Sequence, residues 1–180
     1  MEKKLQKVAV VGPESTGKST TTQWLANSFN TLWVPEYARY YCETLQREYT
    51  LQDELNMFFG QIALEDSILS ISKDRKFIFC DTTFITIKIW SDYLFGFTPK
   101  PVVDELSIRT YDYYLLMDID MPWEDDPLRD FPDKREYFFD VWKQELNKLN
   151  ANYTIISGMG AERNKFAESA VLEFLHTTGI

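Results

Sequence analysis

The run Gly12-Pro13-Glu14-Ser15-Thr16-Gly17-Lys18-Ser19 has the spacing G-x-x-x-x-G-K-[S/T], that of a loop which wraps phosphate in its own backbone. Its two glycines let the chain turn tightly enough for several N–H groups to face phosphate oxygens. A helix starting at Lys18 adds its partial positive charge. Lys18 is placed to reach the terminal phosphates, the Ser19 hydroxyl to ligate magnesium, and Thr20 to touch the α-phosphate. The motif lies between a β-branched run at residues 7–11 and a helical pattern, the context such a loop requires. ATP with Mg2+ is the ligand pair this chemistry calls for.

In open α/β sheets ligands bind outside the C-terminal ends of the strands, so acids at those ends are the next candidates. Asp81 ends the apolar run Phe77-Ile78-Phe79-Cys80, where it is either a magnesium-holding carboxylate or the N-cap of the next helix. Glu36 follows Val34-Pro35, where a carboxylate could take the proton of an attacking hydroxyl; the plainer reading is a surface glutamate. Arg39 stands one helical turn beyond Glu36, to orient it or a substrate oxygen, or to form a local ion pair. Residues 118–135 carry three prolines, clustered acids, Trp123, Arg129 and Arg135. They read as a flap, about residues 121–136, whose arginines close on a transferring phosphoryl group, or as a solvated loop. The aromatics Trp90, Phe58, Phe59 and Tyr93 read first as core, with Trp90 also a candidate for substrate stacking alongside Tyr37 and Trp123.

These residues need a scaffold that brings several strand ends together. Apolar runs at 7–11, 32–34, 77–80, 113–117 and 153–156 alternate with helical patterns at 18–29, 51–72, 83–95, 136–149 and 162–175. Continuous apolar strands separated by amphipathic helices predict a five-stranded parallel sheet covered on both faces, a three-layer α/β fold. The 180 residues, 44% hydrophobic and 16% aromatic, suffice for one domain spanning residues 1–180. A net charge of −9 repels a nucleic-acid backbone. No apolar run approaches about 20 residues, and the N-terminal Met1-Glu2-Lys3-Lys4-Leu5 leads into a strand without a signal-type apolar region, so the expectation is a cytoplasmic protein away from membranes. Two separated cysteines and one histidine assemble neither a zinc site nor a disulfide framework.

Four motifs together carry a family resemblance: the phosphate loop, Val34-Pro35-Glu36-Tyr37-Ala38-Arg39, Asp81-Thr82, and Asp120-Met121-Pro122-Trp123-Glu124-Asp125-Asp126-Pro127-Leu128-Arg129. In order and spacing the chain resembles the ribosylnicotinamide kinase domain of NadR-type proteins, from about residue 8 to 175. That likeness implies a P-loop, nucleoside-kinase-like fold and ATP-dependent phosphorylation of the 5′-hydroxyl of nicotinamide riboside to nicotinamide mononucleotide. It implies that Glu36 and Asp81 hold the ribose and accept its proton, that Arg129 is a lid arginine, and that Arg163 belongs to a loop near adenine. It further implies a kinase standing alone, without the nucleotidyltransferase and DNA-binding regions of fused members. Other nucleoside or metabolite kinases, and a regulatory ATP-binding switch, use the same scaffold and stay open.

Overall fold

The computed structural model describes residues 4–179; Met1, Glu2 and Lys3 of the N-terminal stretch, and Ile180, lie outside the described residues. Strand β1 (Gln6–Val11) leads through the phosphate loop into α1 (Lys18–Ser28), then β2 (Trp33–Val34), α2 (Tyr37–Glu43) and the long α3 (Leu51–Ile71). Next come β3 (Phe77–Asp81), α4 (Phe84–Phe95), α5 (Lys100–Ile108) and β4 (Tyr113–Met117). A loop and a 3-10 turn (Pro132–Lys134) precede α6 (Arg135–Lys148), β5 (Tyr153–Ile156) and α7 (Ala161–Thr178). The five strands form one sheet in the order β2-β3-β1-β4-β5, every pair parallel. The α/β three-layer class and all five strands expected from the apolar runs are therefore present.

Alternation along each strand divides the core in two. Val8 and Val10 of β1 face Leu25 of α1 and Ala167, Val171 and Phe174 of α7. Ala9 and Val11 face the other layer, with Phe58 of α3, Ile85 and Ile89 of α4, and Trp142 and Leu146 of α6. Both faces are covered, so the strands are apolar throughout and carry no polar side to mark them as surface. Two elements are additional to the expected pattern. Helix α5 opens on Lys100-Pro101, with proline at its first turn and Val102 its one buried residue, too little apolar periodicity to read. Helix α2 buries no residue fully, for the same reason.

Helix α3 begins at a capping box in which Thr50 and Asp53 exchange bonds with each other's backbone N–H. Its inner face is rotated from the one the apolar residues suggest: Asp53, Glu54, Met57, Phe58, Gln61 and Glu65 are buried, while Phe59 is 54% exposed. The core reading thus holds for Phe58 and is corrected for Phe59. Polar side chains can occupy this inner face because partners await them. Glu65 accepts from Lys7 Nζ, Arg109 and the Tyr111 hydroxyl, and Gln61 donates to Pro35 O and accepts from Tyr37 N.

The same packing fixes Tyr37. Its ring lies against α3 where that helix has Gly60, and a Cβ on Gly60 would overlap the ring. A methyl group there overpacks a joint with no slack, so Gly60→Ala should lower stability by about 1–3 kcal/mol in denaturant melts. Measured against the Tyr37→Ala single variant, the double variant should show little of that loss. A loss of equal size in the double variant would show that the ring contact is not its source.

Candidate active site

Because all strands run parallel, their C-terminal ends share one edge, and each contributes a loop there. β1 delivers the phosphate loop, whose turn demands glycine: Gly12 has φ +139°, and a Cβ on it would lie 2.9 Å from Met117 O of β4. Ser15 (φ 55°), inside the loop, and Thr82 (φ 66°), directly after β3, are left-handed without being glycine, strained conformations at the same sheet edge. Thr16 Oγ1 donates to Pro13 O at 2.8 Å, and Lys18 Nζ donates to the same carbonyl at 2.6 Å. The edge opens into a cleft of about 1130 Å³, lined by the whole loop from Gly12 to Thr20 and by Glu36, Arg39, Trp90 and Arg129.

Asp81 and Glu36 stand as neighbours at the ends of β3 and β2. Register pairs Asp81 with Val10 beside the phosphate loop and Val34 with Cys80. Asp81 is buried beside the Ser19 hydroxyl, and keeps one carboxylate oxygen, Oδ1, without a hydrogen-bond partner. Burial raises its pKa and the charge of Glu36 adds to that rise. Glu36 is likewise raised by burial, with Lys18 and Arg39 pulling it back. The helix-cap alternative for Asp81 falls away, since the N-cap of α4 is Thr83, whose hydroxyl accepts from Ile85 N. A buried carboxylate oxygen without a donor, next to a serine hydroxyl, is the donor set a hard cation such as magnesium takes.

The segment after β4 lies folded on the phosphate loop. Glu124 N donates to Ser15 Oγ at 2.8 Å, Arg129 reaches the same oxygen at 3.3 Å, and Arg129 also donates to Glu124 O. Arg135 donates to Ser15 O and to Met121 O, with its Nε buried and unpartnered. Arg39 clamps the outer side, pairing with Asp126 at 2.8 Å as well as with Glu43 in its own helix. Arg129 therefore faces the cleft, whereas Arg135 braces the loop from behind. Glu14, another loop residue, is pushed up in pKa by burial and accepts from Phe131 N.

Three residues expected at the ligand lie elsewhere. Tyr37 packs on α3 and does not line the cleft. Trp123 turns its indole N–H to Asp125 Oδ1 and stays outside the cleft lining. Arg163 is 2% exposed, and its guanidinium donates to the carbonyls of Gly158, Ile156, Asp118 and Thr16 and to Asp120. It is a strut that ties the loops after β1, β4 and β5 together, and all of this hydrogen bonding is spent inside the protein.

Beyond the phosphates the cleft runs along α4 into an aromatic chamber with Trp90, Phe131, Phe138 and Trp142 in its wall; Trp90 lies 4.9 Å from Phe138 and 5.5 Å from Phe131. Cys42, Tyr49, Glu54 and Met57 line it as well, and none of these was expected from the sequence. The signal that could have found Glu54 is its position four residues before Phe58, an acid on the stripe that Phe58 buries. Burial pushes Glu54 up to about 7, with only Ser91 opposing, and pushes the Cys42 thiol up to about 11. Both cysteines are free, and among the described residues no helix is long and apolar enough to cross a membrane.

Strand order, loop and acids together define a P-loop nucleotide-binding domain of nucleoside-kinase-like architecture. The chain belongs to the AAA domain family, whose pattern it matches over residues 7–163. It is 29% identical to the "Trifunctional NAD biosynthesis/regulator protein NadR" of Salmonella typhimurium, over 68% of this chain and 30% of that protein. The fold is similar to a NadR crystal structure in complex with NAD and AMP-PNP, with a TM-score of 0.74 and 25% identity over 94% of this chain and 49% of that one. A NadR structure in complex with NR gives a TM-score of 0.76 at 22% identity, covering 94% of this chain and 50% of that one. The resemblance to NadR-type proteins carried by the four motifs is thus matched in sequence and in fold, and the chain spans about a third of the curated relative's length.

The Arg163 strut yields a direct test. Arg163→Ala takes the donor from carbonyls of Gly158, Ile156, Asp118 and Thr16 around a buried side chain, which should cost about 1–3 kcal/mol of stability in chemical denaturation. A variant that stays fully stable but selectively loses ATP affinity would return Arg163 to the nucleotide.

Proposed function

We propose that this chain transfers the terminal phosphoryl group of ATP to the 5′-hydroxyl of nicotinamide riboside, giving nicotinamide mononucleotide and ADP. The observation that carries the reading is the cleft in which a phosphate loop meets two strand-end carboxylates and then an acidic, aromatic chamber. Such a chamber suits the permanent positive charge and flat face of a pyridinium riboside. Supporting it are the relatives: one named for NAD biosynthesis, and NadR structures described with NR and with AMP-PNP.

In this reading the loop amides of residues 12–20 cradle the triphosphate and Lys18 releases Pro13 O to meet the terminal phosphates. Ser19 and Asp81 would hold magnesium, which neutralises phosphate charge as it builds. Glu36 aligns the 5′-hydroxyl and takes its proton while the hydroxyl oxygen bonds to the γ-phosphorus and the bond to the β-phosphate oxygen breaks. The transition state of such transfers is loose, so alignment of the hydroxyl outweighs proton removal. Arg129, already at the cleft, supplies positive charge to the moving phosphoryl group, and the flap anchored on Ser15 keeps water out. Arg39 supports Glu36 and ties the flap down through Asp126. Trp90 offers the ring its stacking surface.

Incubation of the protein with ATP, magnesium and a nucleoside panel, with products identified by mass, should show nicotinamide riboside phosphorylated at least about tenfold better in kcat/KM than uridine or cytidine. Equal or reversed preference would favour another nucleoside kinase, and nucleotide binding without any acceptor turnover would favour a regulatory switch. Lys18→Ala should cut acceptor-dependent turnover by at least about two orders of magnitude.

The two acids should differ in kind. Glu36→Gln should lower kcat by roughly 10²–10⁴ with ATP affinity nearly unchanged, whereas Asp81→Asn should raise the magnesium concentration needed for turnover. Normal turnover in Glu36→Gln, with Asp81→Asn inactive at an unchanged magnesium requirement, would reverse the roles.

A further inference from the structure

Glu54 is the residue of the cleft for which neither catalysis nor folding accounts. It sits in the first turn of α3 and is 3% exposed, yet it lines the chamber beside Met57 and Trp90. The one hydrogen bond it accepts among the described residues comes from Ser91 Oγ at 3.5 Å, at the limit of useful length. Among the described residues no cation offsets it. Arg47 is spent in a two-pronged pair with Asp53, Arg39 on Asp126 and Glu43, and Lys88 on Asp92 and Glu145. A buried carboxyl with neither counter-ion nor strong donor is costly, and such groups persist where a ligand completes them.

Its position says which part of a ligand that is. Ser91 lies about 12 Å along the axis of α4 from Thr83, the cap residue beside the phosphate-transfer end. A nucleoside placed with its 5′-hydroxyl at Glu36 spans that length and brings the far edge of its base to Glu54. Tyr49 lines the same cleft, so its phenol is a further polar group in the wall that carries Glu54.

We infer that Glu54 reads the substituent on the acceptor's base: it accepts a hydrogen bond from an uncharged carboxamide NH2 and turns away a ring bearing a carboxylate at the same place. The inference rests on the proposed pyridinium riboside. Attraction of the ring's positive charge serves the amide and acid forms alike, so discrimination comes from the substituent alone. Above about pH 7, where Glu54 is ionised, a second carboxylate against it would place two like charges in a desolvated end of the cleft, a repulsive device that separates two ligands of nearly equal shape. The substitution Glu54→Gln removes that device, because a side-chain amide can both accept from a carboxamide and donate to a carboxylate.

The test measures kcat/KM for nicotinamide riboside and nicotinic acid riboside with the intact protein, ATP and magnesium, in the wild type and in Glu54→Gln. The wild type should prefer the amide at least about tenfold, and Glu54→Gln should narrow that preference at least about tenfold, mainly by lowering KM for the acid riboside. An unchanged melting temperature and ATP KM would show the variant folded. A wild-type ratio near one overturns the inference without reference to any variant. So does an unchanged ratio in a folded Glu54→Gln, or an equal loss on both ribosides. If neither riboside is turned over, the substrate reading fails and Glu54's role fails with it; turnover of both without discrimination leaves the substrate reading standing and removes Glu54 alone.

Discussion

Parallel pairing of all five strands is the constraint on which the site depends. It sends every strand the same way, so the loops after β1, β2, β3, β4 and β5 must meet at one edge, and it forces each return through a helix that covers a face. The contact at the centre of that edge is close: Gly12 passes Met117 O with no room for a side chain. Arg163 then joins three of the loops by giving its donors to carbonyls of each. The phosphate loop is thereby held by its neighbours in the shape a triphosphate needs, and strain at Ser15 and Thr82 is carried by this support.

Charge is arranged around that edge with two different outcomes. Glu36 and Asp81 lie close to Lys18 and Arg39, so their burial is partly offset, and their mutual repulsion favours a cation between them. Glu54, further along the cleft, has no cation beside it among the described residues. The first pair fits chemistry on phosphate and the second acid fits recognition of the acceptor. Between them the aromatic wall of α4 and α6, with Phe131 of the flap, sets the width available to a flat ring.

Polar residues on the inner face of α3 show why part of this was hidden. Hydrophobic periodicity locates a helix, and it locates the buried face only when that face is apolar. Here Gln61 and Glu65 are buried because Pro35, Tyr37, Lys7, Arg109 and Tyr111 satisfy them, partners separated from them by 24 to 58 positions in the chain. Phe59 is left outside by the same rotation. Tyr37 and Trp123 looked available as ligand platforms from residue type alone, and packing against Gly60 and a local bond to Asp125 assign them elsewhere.

The local chemistry of the chain, then, determined the phosphate loop, the five strands, the class of fold and the two strand-end acids, since each is set by neighbouring residues: glycines for the turn, unbroken apolar runs for strands buried on both faces, and an acid directly after such a run. Tertiary structure alone decided which side chains share the cleft. Arg163 became a strut because carbonyls from three separate loops converge on it. Glu54 entered the chamber because the helix that carries it packs beside α4, and Arg39 reached Asp126 across 87 positions of chain. Those outcomes depend on distances between elements remote in sequence, which composition and spacing do not encode residue by residue.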